Sequence, residues 1–201
     1  MRRGERSQER ILSTAQSQFA ARGYEATTIR SVATEAHIDP SMVMRYFGSK
    51  EGLFAAATSV ELRIPDLAGV PRDELGVAVA RHFMSTWEAE TSAPLRVLLS
   101  SALSGSAAAA RVSEIFRTQL EPIIRASGTA DGREANERAG LISTQVLGFA
   151  LCRYVLRLPP IVSLEPDAAI GWLAPVIQRY LVAPAPERRA AGGERSAAAE
   201  G

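Results

Sequence analysis

Apolar residues along this chain return every three or four positions, the spacing of one helix face, and alternating β-branched runs are absent. The first such stretch covers residues 7–21, with Ile11, Leu12, Ala15 and Phe19 on one side, and Gly23 stands where it should stop. A second runs over 29–36, where Ile29, Val32, Ala33 and Ala36 fall at i, i+3, i+4 and i+7. Thr28 precedes it as an N-cap, its hydroxyl able to accept from an otherwise unpaired backbone N–H. His37, Ile38 and Asp39 read as a turn. Asp39 then caps a short third helix, 40–47, opened by Pro40, whose missing N–H costs nothing at a first helical position. Val43 and Phe47 point inward from it. A fourth helix is expected from Ser49 to about Leu62.

Residues 63–71 hold Pro65 and Pro71 and read as a connector, which places a boundary between a first domain, 7–67, and a second, 68–183. The second domain is a set of longer helices expected at 73–89, 94–103, 108–127 (bent near Pro122), 133–158 (closed by Pro159 and Pro160) and 166–182. Residues 184–201 are rich in Ala, Gly, Pro and charge, too poor in apolar surface to order themselves, and are expected to be disordered. The fold class is all-α.

Composition narrows the chemistry. With 201 residues and 46% hydrophobic content a sizeable core is within reach. The formal net charge is +1, and residues 1–60 carry 8 basic against 6 acidic side chains, so no strong basic field advertises non-specific nucleic-acid binding. The single Cys152 excludes an internal disulfide and offers no metal framework, which fits a reducing compartment. No signal-peptide pattern and no run of ~18–20 apolar residues is found, so a soluble cytoplasmic protein is expected. Gly-rich phosphate loops, HExxH and nucleophile-elbow patterns are missing, and neither catalysis nor a cofactor is expected. His37 and His82 are too isolated to be metal ligands.

The segment 27–54 carries the sharpest functional signal. Two short helices around a tight turn are what a helix-turn-helix offers to a DNA major groove, although a helical hairpin of any packed domain has the same outline. Met42, Met44 and Tyr46 are large for a solvated helix face, and exposed bulk usually has a partner. The only lysine, Lys50, lies just beyond the third helix, where a compact charge could reach a phosphate. The first four arginines sit in the opening ten residues and could add contacts as a flexible arm, or merely aid solubility.

The runs FAARGYEATTI (19–29), SVATEA (31–36) and DPSMVMRYFGSKEGLF (39–54) together resemble the DNA-binding domain of the TetR family of bacterial transcriptional regulators. The resemblance covers about residues 7–60. It implies an N-terminal three-helix helix-turn-helix domain and a C-terminal helical domain for ligand binding and dimerisation. It further implies that Tyr46 and Lys50 touch phosphates and that Ser41, Met42, Met44 and Arg45 face base edges or backbone. Thr28 and Arg30, at the start of the second helix, complete the expected DNA-binding set. His37 stands where the family usually has Gly, so the turn must tolerate a side chain, and Met44 stands where Tyr is frequent.

The long helix at 133–158 is apolar on two sides. Leu141, Thr144, Gly148, Leu151, Val155 and Leu158 form one stripe, and Ile142, Val146 and Phe149 another. The last helix has its own stripe, with Trp172 beside it. A large monomeric core would explain both; the family architecture implies instead that these two helices pair with their copies in a homodimer. It also implies a cavity for a small apolar or amphipathic effector. Candidate lining residues are Phe83, Met84, Trp87, Leu99, Leu103, Phe116, Ile123, Phe149, Cys152 and Arg153. Arg153 and Arg157 could hold a ligand carboxylate, or pair with Glu side chains at the dimer seam. The expected function is a ligand-responsive repressor that binds a near-palindromic double-stranded DNA operator as a homodimer. The alternative is a helical protein-binding adaptor that has lost DNA binding.

Overall fold

The computed structural model describes residues 3–103, 105–130 and 132–186, all helix, turn and connector with no strand among them. The tail expected to be disordered lies, from residue 187 onward, outside the described residues. The order is α1 (Arg3–Ala26), α2 (Ile29–Glu35), α3 (Pro40–Phe47), α4 (Lys50–Ala57), α5 (Leu75–Glu88), α6 (Ala93–Ala102), α7 (Ser106–Ile115), α8 (Glu121–Ala126), α9 (Gly132–Ala150), α10 (Pro159–Val162) and α11 (Pro166–Val182). π-helical turns at Phe116–Leu120 and Leu151–Val155 continue α7 into α8 and extend α9.

The first four helices close around one apolar cluster. Ile11, Ala15 and Phe19 of α1, Val32 and Ala33 of α2, Val43 of α3 and Leu53 and Phe54 of α4 are all buried there. Phe54 meets Phe19 edge-on at 5.0 Å and Tyr24 at 4.9 Å. Helix α1 begins earlier than its pattern predicted, at Arg3, and breaks at Gly23 (φ 76°). Caps fix the next three starts. Thr28 and Ser31 form a reciprocal capping box on α2. Asp39 accepts from the Ser41 N–H at 2.8 Å and Ser49 from the Gly52 N–H at 3.0 Å.

Helix α4 is shorter than expected. It ends at Ala57 rather than near Leu62, and residues 58–74 form a connector of extended chain and turns, within which the expected boundary at 67/68 falls. Side chains of other helices satisfy its backbone in place of a continued helix. Gln119 donates to the Val60 carbonyl at 2.9 Å and accepts from the Leu62 N–H at 2.7 Å. His82 Nε2 lies 2.7 Å from the Leu62 carbonyl.

A second cluster joins α5, α8, α9 and α11 through Leu75, Phe83, Trp87, Ile124, Ile142 and Ile177. Helices α5 and α11 lie very close. A Cβ at Gly76 would sit 2.4 Å from the Ala174 carbonyl oxygen and 2.6 Å from Gln178 Cβ. Gln178 accepts from the Gly76 N–H at 2.6 Å, which locks the crossing. Buried Arg138 fastens α9 to the end of α11, donating to the Tyr180 carbonyl at 2.5 Å and the Ala183 carbonyl at 2.6 Å while pairing with Glu134. The helix expected to reach residue 158 stops earlier, with Arg157 in the left-handed region (φ 54°). Pro159 disfavours α geometry at the residue before it, and the Leu158 N–H closes the end on the Cys152 carbonyl at 2.9 Å.

Two outcomes follow. Gly76→Ala should destabilise the chain by roughly 1–3 kcal/mol, although Ala is the better helix former, because the added methyl has no room; thermal unfolding followed by circular dichroism checks this, and a rise in Tm would contradict it. Asp39 has its acidity strengthened below the ordinary value of 3.8, first by its side-chain hydrogen bond with Ser41 and then by the Ser41 backbone. The native state therefore holds that proton less tightly than the unfolded chain. The contribution is complete above the ordinary value and is lost as pH falls through the lowered one. Asp39→Asn, which keeps a capping oxygen, should lose less Tm than the unsubstituted chain between about pH 4 and about pH 2.

Candidate nucleic-acid interface and effector cavity

Helix α3 holds eight residues, and Val43 alone among its side chains is fully buried. Around that anchor Ser41, Met44 and Arg45 are exposed, Met44 at 46%, while Met42 and Tyr46 are half-buried at the edges. The Arg45 guanidinium lies 5.4 Å from the centre of the Tyr46 ring, a cation–π distance that aligns the two along one rim. The Tyr46 hydroxyl approaches the first turn of α1, where a Cβ at Gly4 would stand 3.4 Å away. The α1 extension is thus helical where a flexible arm was one reading, and it abuts the α3 rim.

The turn before α3 bears out the cost foreseen for a side chain at His37, which sits at φ 52°. The Ile38 N–H reaches the Ala33 carbonyl at 2.9 Å and closes the turn. Thr28 and Arg30 are exposed at the start of α2, Thr28 engaged in its cap. Lys50 is less free than its position suggested. Its ammonium donates to the Glu25 carbonyl at 3.1 Å and lies 4.4 Å from the Tyr24 ring centre. Tyr24 in turn donates to Glu51 at 3.0 Å, and burial first, then that bond, raises the tyrosine's pKa. An ammonium has three donors, so Lys50 keeps capacity for an anion, but from a fixed rather than a swinging stem.

A positioning residue escaped the sequence reading. Gln18 is buried, and its amide donates to the Ser31 carbonyl at 3.1 Å and to Glu35 at 2.6 Å, while Ser31 Oγ lies 2.6 Å from Gln18 Oε1. It therefore sets the pose of α2 on α1. One polar residue at a buried helix position, between Phe19 and Ala15 on the inward face, was the available signal.

In the second cluster α5, α6, α7, α8 and α9 surround a cavity of about 360 Å³. Four of the ten expected lining residues reach its wall: Phe83, Trp87, Leu99 and Phe116. Met84 is buried in the surrounding core, and Ile123 and Phe149 pack partly buried against it, Phe149 edge-on to Phe83 at 6.0 Å. Cys152 is half-buried on the π-turn after α9. Leu103 is corrected outright. It follows α6, is 63% exposed, and cannot wall the cavity from there. Arg153 is not among the residues that wall the cavity and is engaged within its own chain. It pairs with Glu88 at 3.0 Å and donates to the carbonyls of Ile161 at 2.6 Å and Leu164 at 2.8 Å, bracing the turn around α10. Arg157 is exposed. Glu88 also accepts from the Tyr154 hydroxyl at 2.8 Å, and Tyr154 stacks on Trp87 at 5.1 Å.

The cavity wall includes Leu62 and Ile64 of the connector, whose place there no local pattern in the residues signals. Its polar side chains are His82, Thr86, Ser113 and Ser143, with no Asp, Glu, Lys or Arg. Such a wall suits an apolar body with few hydrogen-bonding groups. Outside it, on α9 and α11, Leu141 is 45% and Trp172 74% exposed. Among the described residues no group of three or more His, Cys, Asp or Glu is placed to hold a metal ion, and no helix is long and apolar enough to cross a membrane.

Comparison with known proteins places this geometry. Residues 11–57 match the family described as bacterial regulatory proteins, tetR family, and residues 73–181 match the tetracyclin repressor-like C-terminal domain. No match was found among curated proteins. A TetR-family regulator from Streptomyces coelicolor shares 30% identity, with 90% of this chain and 98% of that one covered and a TM-score of 0.55. NalD of Pseudomonas aeruginosa, described as the secondary repressor of the MexAB-OprM multidrug efflux pump, is 18% identical, with coverages of 90% and 98% and a TM-score of 0.67. A transcriptional regulator from Saccharomonospora viridis, solved in complex with choline, is 18% identical, with coverages of 87% and 96% and a TM-score of 0.58. With both of its regions matched, and a solved relative at that identity along nearly its whole length, the chain belongs to the TetR family of bacterial transcriptional regulators.

Proposed function

We propose that the chain is a ligand-responsive repressor that binds a near-palindromic operator as a homodimer. The observation that carries this reading is the exposed set Ser41, Met44 and Arg45 on a helix whose Val43 is buried and whose Phe47 packs partly buried against the same core, in a chain of this family. Arg45 is the side chain suited to reading a guanine edge; Tyr46, Lys50, Thr28 and Arg30 suit phosphates. Met42, half-buried, offers apolar contact at the groove wall.

Exposed Leu141, Gly148, Gly171 and Trp172 support pairing through α9 and α11. Nothing stands within 4 Å of a Cβ built at Gly148 or Gly171, which leaves room for close helix approach by a partner. Two copies of α3 would then reach successive half-sites roughly 34–36 Å apart. The cavity would take an uncharged apolar or amphipathic effector. NalD's description as a repressor and the choline held by the Saccharomonospora protein are in keeping with repression and with small-molecule binding, without fixing either for this chain. Turning a population 99% competent for operator into one 1% competent needs a preference of about 5.5 kcal/mol between the two states.

A duplex-binding assay titrated with salt tests the reading. Log affinity should fall linearly with log salt, and Tyr46→Ala or Lys50→Ala should weaken binding to all sequences alike and flatten that slope. Arg45→Ala should cost about 1–3 kcal/mol on the selected duplex only. A flat salt response would favour the adaptor instead, and equal loss on selected and random DNA would refute base reading by Arg45. Trp172→Asp should shift sedimentation toward monomer at micromolar protein; an unchanged dimer would remove α11 from the interface.

A further inference from the structure

The cavity and the DNA-binding core share a strip of backbone. Residues 59–64 leave α4 as irregular chain, turning at Arg63 (φ 47°), and their side chains divide between two interiors. Val60 is buried in the cluster of the first four helices. Leu62 packs on that cluster and also walls the cavity, as does Ile64. Leu67, a few residues on, is buried in the second cluster. The strip is held by groups from outside it. Gln119 spans Val60 and Leu62 with a donated and an accepted hydrogen bond, at 2.9 Å and 2.7 Å. His82 Nε2 meets the Leu62 carbonyl at 2.7 Å. The same strip also borders a second cleft containing Ser59, Glu61 and Arg63, which shares Leu62, His82, Thr86 and Leu95 with the cavity wall.

Gln119 sits within the π-turn Phe116–Leu120, and Phe116 and Leu120 themselves line the cavity. One turn of helix therefore presents two residues to the cavity and a third to the strip. Single π-turns within α-helices often mark functional sites. A molecule lodged among Leu62, Ile64, Phe116 and Leu120 bears on both of the walls that the Gln119 amide joins.

We propose that the strip 59–64, latched by Gln119 and His82, is the element through which occupancy of the cavity reaches the DNA-binding helices. This rests on the reading of the cavity as an effector site and adds the route and the residues. A filled cavity parts Gln119 from Val60 and Leu62. The pull then passes through Val60, whose side chain is embedded among α1–α4. Gln119 is a positioning residue in this device and need not touch the effector, whereas His82 also walls the cavity. The competing route runs directly through α6, whose Leu98 walls the cavity while packing in the first cluster. That route makes no use of Gln119.

The test uses the full chain and the neutral apolar dye N-phenyl-1-naphthylamine, with dye affinity read by fluorescence and backbone opening by amide hydrogen exchange. In the unsubstituted chain saturating dye should speed exchange over 59–64 by about tenfold and alter it over 50–57 by about threefold or more. Gln119→Leu should show fast exchange over 59–64 without dye. It should bind dye within about threefold of the original affinity, yet transmit less than about a twofold change to 50–57. Gln119→Glu, which retains the acceptor for the Leu62 N–H but not the donor to Val60, should fall between the two. If dye fails to bind the folded chain, the cavity reading falls and the latch with it. If dye binds but exchange over 59–64 does not respond, or if the Gln119→Leu chain passes the signal as before, the latch is overturned while the cavity reading stands.

Discussion

The burial of one α3 side chain settles which face of that helix stays outside. Val43 is the only residue of α3 wholly inside the core, where the cluster of α1, α2 and α4 receives it. An eight-residue helix is too short to persist alone, so its existence depends on that contact and on the caps that begin and end it. Phe47 and Tyr46 pack partly buried against the same cluster beside Val43, and the opposite face, with Ser41, Met44 and Arg45, stays outside.

The first four helices thus hold a small face rigidly, while the rest of the chain determines where that face points. Helices α5 and α11 cross so closely at Gly76 that they act as one stiff unit, and Arg138 ties α9 to the end of α11. Beside this scaffold lies the cavity, walled on one side by a π-turn and a stretch of irregular chain.

Much of this was legible in the residues because the signals are local. Thr28, Asp39 with Pro40, and Ser49 name the starts of α2, α3 and α4 within two or three positions of where the caps act. The inward faces of α1 and α2 follow directly from the 3.6-residue period. What escaped depends on partners distant in sequence. Helix α4 was extended too far because the groups that take up the backbone of Val60 and Leu62 belong to Gln119, 57 residues beyond Leu62. Arg153 was assigned to a ligand or a seam because Glu88, 65 residues away, leaves no periodic mark. Leu103 looked like any other apolar residue of its helix, yet it lies past the helix end, where the chain turns outward. A cavity is harder still to foresee, since it is defined by atoms that fail to meet.

In the proposed homodimer, two copies of the α3 face lie side by side at the pitch of the double helix. Hydroxyl-radical footprinting of the dimer on a duplex enriched from a random pool measures that spacing directly. Two symmetric protected tracts are expected, their centres about one helical turn, or a whole multiple of it, apart on one face of the DNA. A single tract, or two on opposite faces, would contradict that arrangement.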